Sequence, residues 1–285
     1  TLSSADNNVG IGKDVFKAIT NAKMNVGIGG IALESLTSGD YHTAVGYGAL
    51  SQVTTVNNNT AVGFYAGKGI QNGGNNVAIG ASTLSTNNNT TENTAVGASS
   101  QKSNSAGNSN TSLGYRSLYG LTTGHRNLAI GKGALDSTTT ESDNIAIGYE
   151  ALYNPNGGIK NVAIGNYTLD ALTSGEKNIA IGHNSGTGLT TGSNNIAIGY
   201  AVLDAATTES HNIGIGYAAL GGPSLSGGGN NMAIGSYTLD GLTSGDNNLA
   251  VGYDAGGMIS TGSHNTTLGF QSGRLIQAGD KNITL

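Results

Sequence analysis

The sequence runs to 285 residues, with 48 Gly, 2 Pro, no Cys, no Trp, 10% charged side chains and a formal charge of −5. Glycine at about a sixth of the chain, more than twice the usual ~7%, excludes an ordinary helical enzyme, because each helix-interior Gly costs about 1 kcal/mol; collagen is excluded too, since Gly does not fall at every third residue. Absent Cys removes disulfides and thiolate metal sites, the acidic balance argues against nucleic acid as a partner, and no run of about 18 apolar residues is present to insert in a membrane.

Residues 1–24 open the chain. Thr1-Leu2-Ser3-Ser4-Ala5-Asp6 has neither the basic start nor the apolar stretch of a signal peptide. The missing initiator Met reads as a processed or excerpted chain. Lys13-Asp14-Val15-Phe16-Lys17 and Lys23 make this stretch less regular and more basic than the rest of the chain, and it is predicted as an N-terminal capping coil. From 25 to 285 the sequence predicts a repeat shaft.

The repeat is Asn-x-Ala-Ile/Val-Gly. Its glycines are Gly12, Gly29, Gly46, Gly63, Gly80, Gly97, Gly114, Gly131, Gly148, Gly165, Gly182, Gly199, Gly216, Gly235, Gly252 and Gly269. Successive members are 17 residues apart except between Gly216 and Gly235, where the interval is 19 and Pro223 and Gly227-Gly228-Gly229 mark an insertion. Four residues before each Gly stands an Asn: Asn8, Asn25, Asn59, Asn76, Asn93, Asn110, Asn127, Asn144, Asn161, Asn178, Asn195, Asn212, Asn231, Asn248 and Asn265, with His42 as the exception. The chain stops at Asn282-Ile283-Thr284-Leu285, one residue before its next Gly, so the shaft is expected to be truncated mid-repeat.

Counting from Asn as position 1, positions 2 and 4 are large or β-branched, position 3 is small and position 5 is Gly. This alternation has the period of a short strand. Position 9 is mostly Leu, position 12 often Leu, Ile or Val, and Thr-Ser-Gly or Thr-Thr-Gly at 13 to 15 is turn chemistry. Seventeen residues are too few for a helical-hairpin repeat. The prediction is an all-β parallel solenoid of about seventeen 17-residue coils. Like positions then stack about 4.8 Å apart. The Asn side chains can form an amide ladder, and Asn tolerates a left-handed corner. Gly is expected at a corner or a close backbone approach. The large residues at 2 and 4 are expected to fill the interior, with the Ala/Gly face outward and smooth enough for another chain to approach.

Several side chains are candidates for chemistry. Gly-x-Gly stretches such as Gly10-Ile11-Gly12 are read as corners, since no helix comes after them as a dinucleotide site requires. The five histidines (His42, His125, His183, His211, His264) occupy different repeat positions and do not converge as metal ligands must. Asp136, Asp170, Asp204 and Asp240 at position 10 are read as a solvated row of charges. Tyr47, Phe64, Tyr115, Tyr149, Tyr200, Tyr217, Tyr253 and Phe270 at position 6 form a strip suited to a chain interface or to a receptor or glycan. The Thr row at position 13, interrupted by Gln71, Asn88 and Asn156, raises ice binding as an alternative. No catalytic residue, metal site or cofactor is predicted.

Asn76-Val77-Ala78-Ile79-Gly80, Asn144-Ile145-Ala146-Ile147-Gly148 and Asn195-Ile196-Ala197-Ile198-Gly199 resemble the head repeats of trimeric, YadA-like autotransporter adhesins. Gly46 to Leu50 and Gly216 to Leu220 (Gly-Tyr-x-Ala-Leu) are similar to repeats of phage tail-fibre proteins. The likeness spans Asn8 to Leu285. It implies a left-handed β-roll, three chains side by side, in a fibre that extends from a virion or cell surface and binds a host glycan or protein receptor. The period of 17 is longer than in typical heads of that family, whose neck, stalk and membrane anchor are not among these 285 residues. The function expected is therefore a non-enzymatic structural or adhesive fibre segment, extracellular, with a self-assembling extracellular filament as a further alternative.

Overall fold

The computed structural model describes residues 5–86, 89–222 and 225–285; Pro223 and Asn88, singled out above, lie outside them. The chain is all-β, without α-helix among the described residues, and forms two compact units, Thr1–Asp143 and Asn144–Leu285. Unit 1 holds β1 (Val9–Ile11), β2 (Val26–Ile28), β3 (Thr43–Val45), β4 (Thr60–Val62), β5 (Val77–Ile79), β6 (Thr94–Val96), β7 (Thr111–Leu113) and β8 (Leu128–Ile130). Unit 2 holds β9 (Ile145–Ile147), β10 (Val162–Ile164), β11 (Ile179–Ile181), β12 (Ile196–Ile198), β13 (Ile213–Ile215), β14 (Met232–Ile234), β15 (Leu249–Val251), β16 (Thr266–Leu268) and β17 (Ile283–Thr284).

Within each unit consecutive strands pair in parallel with like positions opposite, as in Ala61↔Ala78 and Ala180↔Ala197. Each unit is thus a parallel β-solenoid, one strand per circuit. The 19-residue interval does not disturb this register: Ile213 still faces Met232. Its two extra residues fall between Asn212 and Gly228, whose amide-to-carbonyl bond spans 16 residues where other coils span 14.

The strand faces are the reverse of the expectation. The small residue at position 3 points inward: Ala44, Ala61, Ala78, Ala146, Ala180 and Ala233 are fully buried. The large residues at positions 2 and 4 point outward, with Val62 37%, Ile79 39%, Leu113 49% and Ile179 38% exposed. An alternating strand reads the same in either orientation, and interior volume decides. The inside is already filled by position 9 (Leu33, Leu50, Leu118, Leu169, Leu239) and position 12 (Leu36, Ile70, Leu121, Leu172, Leu242), all buried. Position 8 adds a further buried row, Ala49 and Ala151 among them.

The interior is close enough that neighbouring positions compensate one another. Position 8 is Val, not Ala, at Val15 and Val202, and the position-3 residues against them are Gly10, Gly27 and Gly214. A Cβ on Gly27 would lie 2.8 Å from Val15 Cγ1, and one on Gly214 2.5 Å from Val202 Cγ1. Leu at position 12 is matched by Gly at 15: a Cβ on Gly124 would lie 2.7 Å from Leu121 Cδ1, and one on Gly175 2.7 Å from Leu172 Cδ1. Where position 15 is Glu141 or Glu209, position 12 shrinks to Thr138 or Ala206. Both buried carboxylates bend back onto their own turn, accepting from the N–H groups of Thr139 and Thr140, and of Thr207 and Thr208.

The repeat Gly takes a φ of +117 to +141°, and a Cβ there would strike the carbonyl of the repeat Gly one coil on, as Gly63 meets Gly80. Both a corner and a close approach therefore require it. The ladder Asn residues are not the left-handed ones. That conformation falls one residue earlier, at position 17 (Met24 57°, Tyr41 61°, Lys160 60°), and at positions 7 and 9 (Ile31 53°, Leu33 51°). Left-handed Leu is costly for an isolated residue; here the left-handed positions are tied by backbone bonds to neighbouring coils, Leu33 N–H to Ala49 O in the next and Ile31 N–H to Lys13 O in the preceding one.

Candidate functional surface

The sequence-predicted positions sort into internal ladders and an outward surface. In the first ladder each Asn bonds in three directions. Asn76 donates from its backbone N–H and its Nδ2 to Asn59 Oδ1 (3.0 Å each), and from Nδ2 to the carbonyl of Thr90 in the turn of its own coil (2.8 Å). The full pattern repeats at Asn25, Asn93 and Asn127 in unit 1, and Asn110 keeps its backbone bond to Asn93 Oδ1 and its Nδ2 bond to the Gly124 carbonyl. In unit 2 the backbone bond to the preceding Oδ1 recurs at Asn161, Asn178, Asn195, Asn212, Asn231, Asn248, Asn265 and Asn282, and Nδ2 shares that acceptor at Asn178, Asn195, Asn231, Asn248, Asn265 and Asn282. Buried amides need donor and acceptor together, which is why Asn and not Asp repeats.

His42 substitutes for Asn with the same polarity. Its N–H donates to Asn25 Oδ1 (2.8 Å), Nε2 lies 2.7 Å from Val56 O, and Nδ1 accepts the N–H of Asn59 (3.2 Å). That pattern fixes a neutral ring with the proton on Nε2. Burial pushes its pKa below the ordinary value, opposed by the Val56 carbonyl and the Asp40 carboxylate.

A second ladder escaped the sequence reading. At position 16 a side-chain acceptor takes the backbone N–H one coil earlier: Asp40 from Lys23, Asn57 from Asp40, His125 from Asn108, Ser193 from Glu176, Asp280 from Ser263. The run of Asn, Asp, Ser and His at this position was its signal. The Thr row at position 13 forms a third: the hydroxyls of Thr20, Thr37, Thr122, Thr173, Thr190 and Thr243 donate to the position-13 carbonyl of the next coil.

The position-10 aspartates are not a solvated row. Asp136 is 4% exposed and gripped by both nitrogens of the Arg116 fork (2.8 and 2.9 Å). Asp170, Asp204 and Asp240 are half-buried, and burial raises each carboxyl above its usual range. His183 joins the aromatic strip, while His211 and His264 sit at left-handed position 17. Among the described residues no group of three or more His, Cys, Asp or Glu is placed to hold a metal ion, and no helix is long and apolar enough to cross a membrane.

Outside lie two adjoining features. The outward residues of positions 2 and 4 form parallel apolar rows, mostly Ile in unit 2, where Thr266 is the polar strand position, and interspersed with Thr43, Thr60, Thr94 and Thr111 in unit 1. Beside them run the rings. In unit 2, Tyr149, Tyr167, His183, Tyr200, Tyr217, Tyr237, Tyr253 and Phe270 follow one another at centroid spacings of 5.2–6.0 Å. Tyr167 and Tyr237 stand at position 7 and bridge coils whose position 6 is Asn166 or Ser236, a substitution the single-position reading missed. Hydrogen bonding to Glu150 pushes the Tyr149 hydroxyl up to about 12. In unit 1 the strip breaks up: Tyr47, Phe64 and Tyr65 cluster at 4.3–6.0 Å, and Tyr115 stands half exposed between coils bearing Ala98 and Lys132.

Comparison with known protein families and with curated proteins finds no match to this chain.

Proposed function

We propose that this chain is a structural and adhesive fibre segment that associates with copies of itself, side by side as a homotrimer, through the outward face of its strands. The observation that carries the reading is the inverted strand: Ala inside, Ile and Val outside in register from coil to coil. A continuous apolar row left in water by folding marks a protein-protein surface. Each outward side chain is already partly buried, so covering its remaining exposed third or so against another chain is worth roughly 0.5–1 kcal/mol, summed over many coils. The surroundings proposed are extracellular, on a virion or a bacterial cell, where the repeated surface holds or presents a receptor-binding element.

The reading is mechanical, not catalytic: what repeats along the chain is hydrogen-bonding and packing geometry. Receptor contact, if it lies on this segment, falls to the half-exposed ring strip. Stacked pairs such as Tyr200 and Tyr217, 8° from parallel, cover one another's faces and leave edges and hydroxyls outward, which favours packing against protein over stacking on sugar rings. The Thr row is poorly suited to ice, because its hydroxyl protons point into the backbone.

Light scattering or sedimentation tests the association. A particle of three chains of 28.4 kDa is expected, reduced to one chain by Ile179→Glu with Ile196→Glu. A monodisperse 28.4 kDa species of the unaltered chain would remove the proposal.

A further inference from the structure

Charge is segregated along one edge of the coils, the five positions just after the repeat Gly (positions 6 to 10). In unit 1 this edge carries Lys13, Lys17, Lys68, Lys102, Arg116 and Lys132. Three acids, Asp14, Glu34 and Asp136, leave it at +3. In unit 2 the same positions carry Glu150, Asp170, Asp204, Asp240 and Asp254 against the single base Arg274, a net of −4. The remaining bases of unit 2, Lys160, Lys177 and Lys281, all stand at position 17, away from this edge in sequence register.

The rings on the two edges are used differently. In unit 1 two of them are covered by the chain's own cations: Lys68 Nζ lies 4.5 Å from the centre of Tyr65, and Arg116 and Lys102 lie 4.3 and 5.6 Å from that of Tyr119. This edge therefore pairs cations with rings. In unit 2 the ring ladder runs beside carboxylates, and Arg274 is taken up by Asp254 at 2.9 Å. Asp204 Oδ1 is buried and has no hydrogen-bond partner. A buried acceptor of this kind is costly until a donor reaches it, and the row of carboxylates beside the outward hydroxyls of the ring ladder attracts ammonium and guanidinium groups by charge.

We infer that the acidic, ring-lined edge of unit 2 is a docking surface for the basic edge of unit 1 of a second copy of this chain. Lys68 and Lys102 are the cations offered; Asp204, Asp240 and the Tyr200–Tyr237 stretch receive them. This contact is separate from the apolar strand face. It is electrostatic and so weakens with salt, whereas the apolar association does not.

Sedimentation of the full chain between about 20 mM and about 500 mM NaCl separates the two contacts. The expected result is a higher assembly at low salt that weakens at least about tenfold as screening grows. Lys68→Glu with Lys102→Glu abolishes it, as does Asp204→Lys with Asp240→Lys, and an equimolar mixture of the two variants restores it. Should the lysine substitutions unfold unit 2, Asp204→Asn with Asp240→Asn is read instead and is expected to weaken assembly without rescue. Assembly indifferent to salt and to both charge reversals overturns the inference, as does capture of an oligolysine peptide by unit 2 with no change in self-association. Ile179→Glu with Ile196→Glu removes only the salt-resistant particle, so failure of one contact leaves the other readable.

Discussion

The two units are built on one template and differ in how strictly they keep it. Unit 2 has Asn at every ladder position, Ile along most of its outward rows with Thr266 as the polar strand position, and an unbroken sequence of rings. Unit 1 puts His42 in the ladder, Thr in four outward positions and a polar cluster in its core. There Gln101 and Asn104 replace the usual apolar pair at positions 9 and 12, and bond to one another at 3.2 Å. Ser100 and Ser112 meet them, with Gln101 donating to Ser112 Oγ at 2.9 Å, and all are fully buried. What survives in both units is the donor and acceptor pattern and the total interior volume. The residue names are negotiable; the hydrogen-bond polarity is not.

That lesson can be broken most severely in the ladder of unit 2. Asn178→Asp removes the Nδ2 donors to Asn161 Oδ1 and Gly192 O and leaves a buried carboxylate facing two acceptors. A loss of about 3–5 kcal/mol is expected, against about 1–3 kcal/mol for Asn178→Ala, both read from urea midpoints. Equal losses would mean that the ladder's polarity is unimportant.

Volume compensation gives the next effect. Gly214→Ala collides with Val202 and should destabilise by about 1–3 kcal/mol. Val202→Ala in the same chain recreates the Ala/Ala pairing of neighbouring coils and should recover most of that loss. Additive losses in this double-mutant cycle would refute the close fit.

Removing a ring sharpens the contrast from outside. Tyr217→Ala in the stacked run is expected to cost about 0.5–1.5 kcal/mol, more than Tyr115→Ala in unit 1, which breaks no ring stack. The mildest effect is the acid response of unit 1. His42 has a folded pKa below its ordinary value of 6.5, so the unfolded chain binds the proton first. Stability from this group is complete above about pH 6.5 and declines as pH falls from there through the lower folded value. Denaturation midpoints at pH 7.5 and 5 should differ less in His42→Asn than in the parent chain; an unchanged difference would remove His42 from the account.

Much of this was legible because the sequence repeats. The repeat Gly, the register and the burial of positions 9 and 12 follow from like residues recurring at one interval, and Asn at position 1 has the donors and acceptor a ladder needs. Strand orientation was not legible. Val77-Ala78-Ile79 alternates equally well either way, and only the bulk contributed by Leu84 and its equivalents leaves room for Ala alone inside. The aspartates misled for a related reason: Asp136 looks solvated by type, but Arg116, 20 residues earlier, closes over it. Tyr167 and Tyr237 were missed because a ring can reach the same strip from either of two adjacent positions.

Since the chain has no cysteine, single thiols can report the strand orientation directly. In dilute, dissociated protein, Ile179→Cys should react with a maleimide about as fast as an exposed thiol, and Ala180→Cys should stay unreactive until the chain unfolds. Rapid labelling at 180 with protection at 179 would contradict the inverted strand and the self-association built upon it.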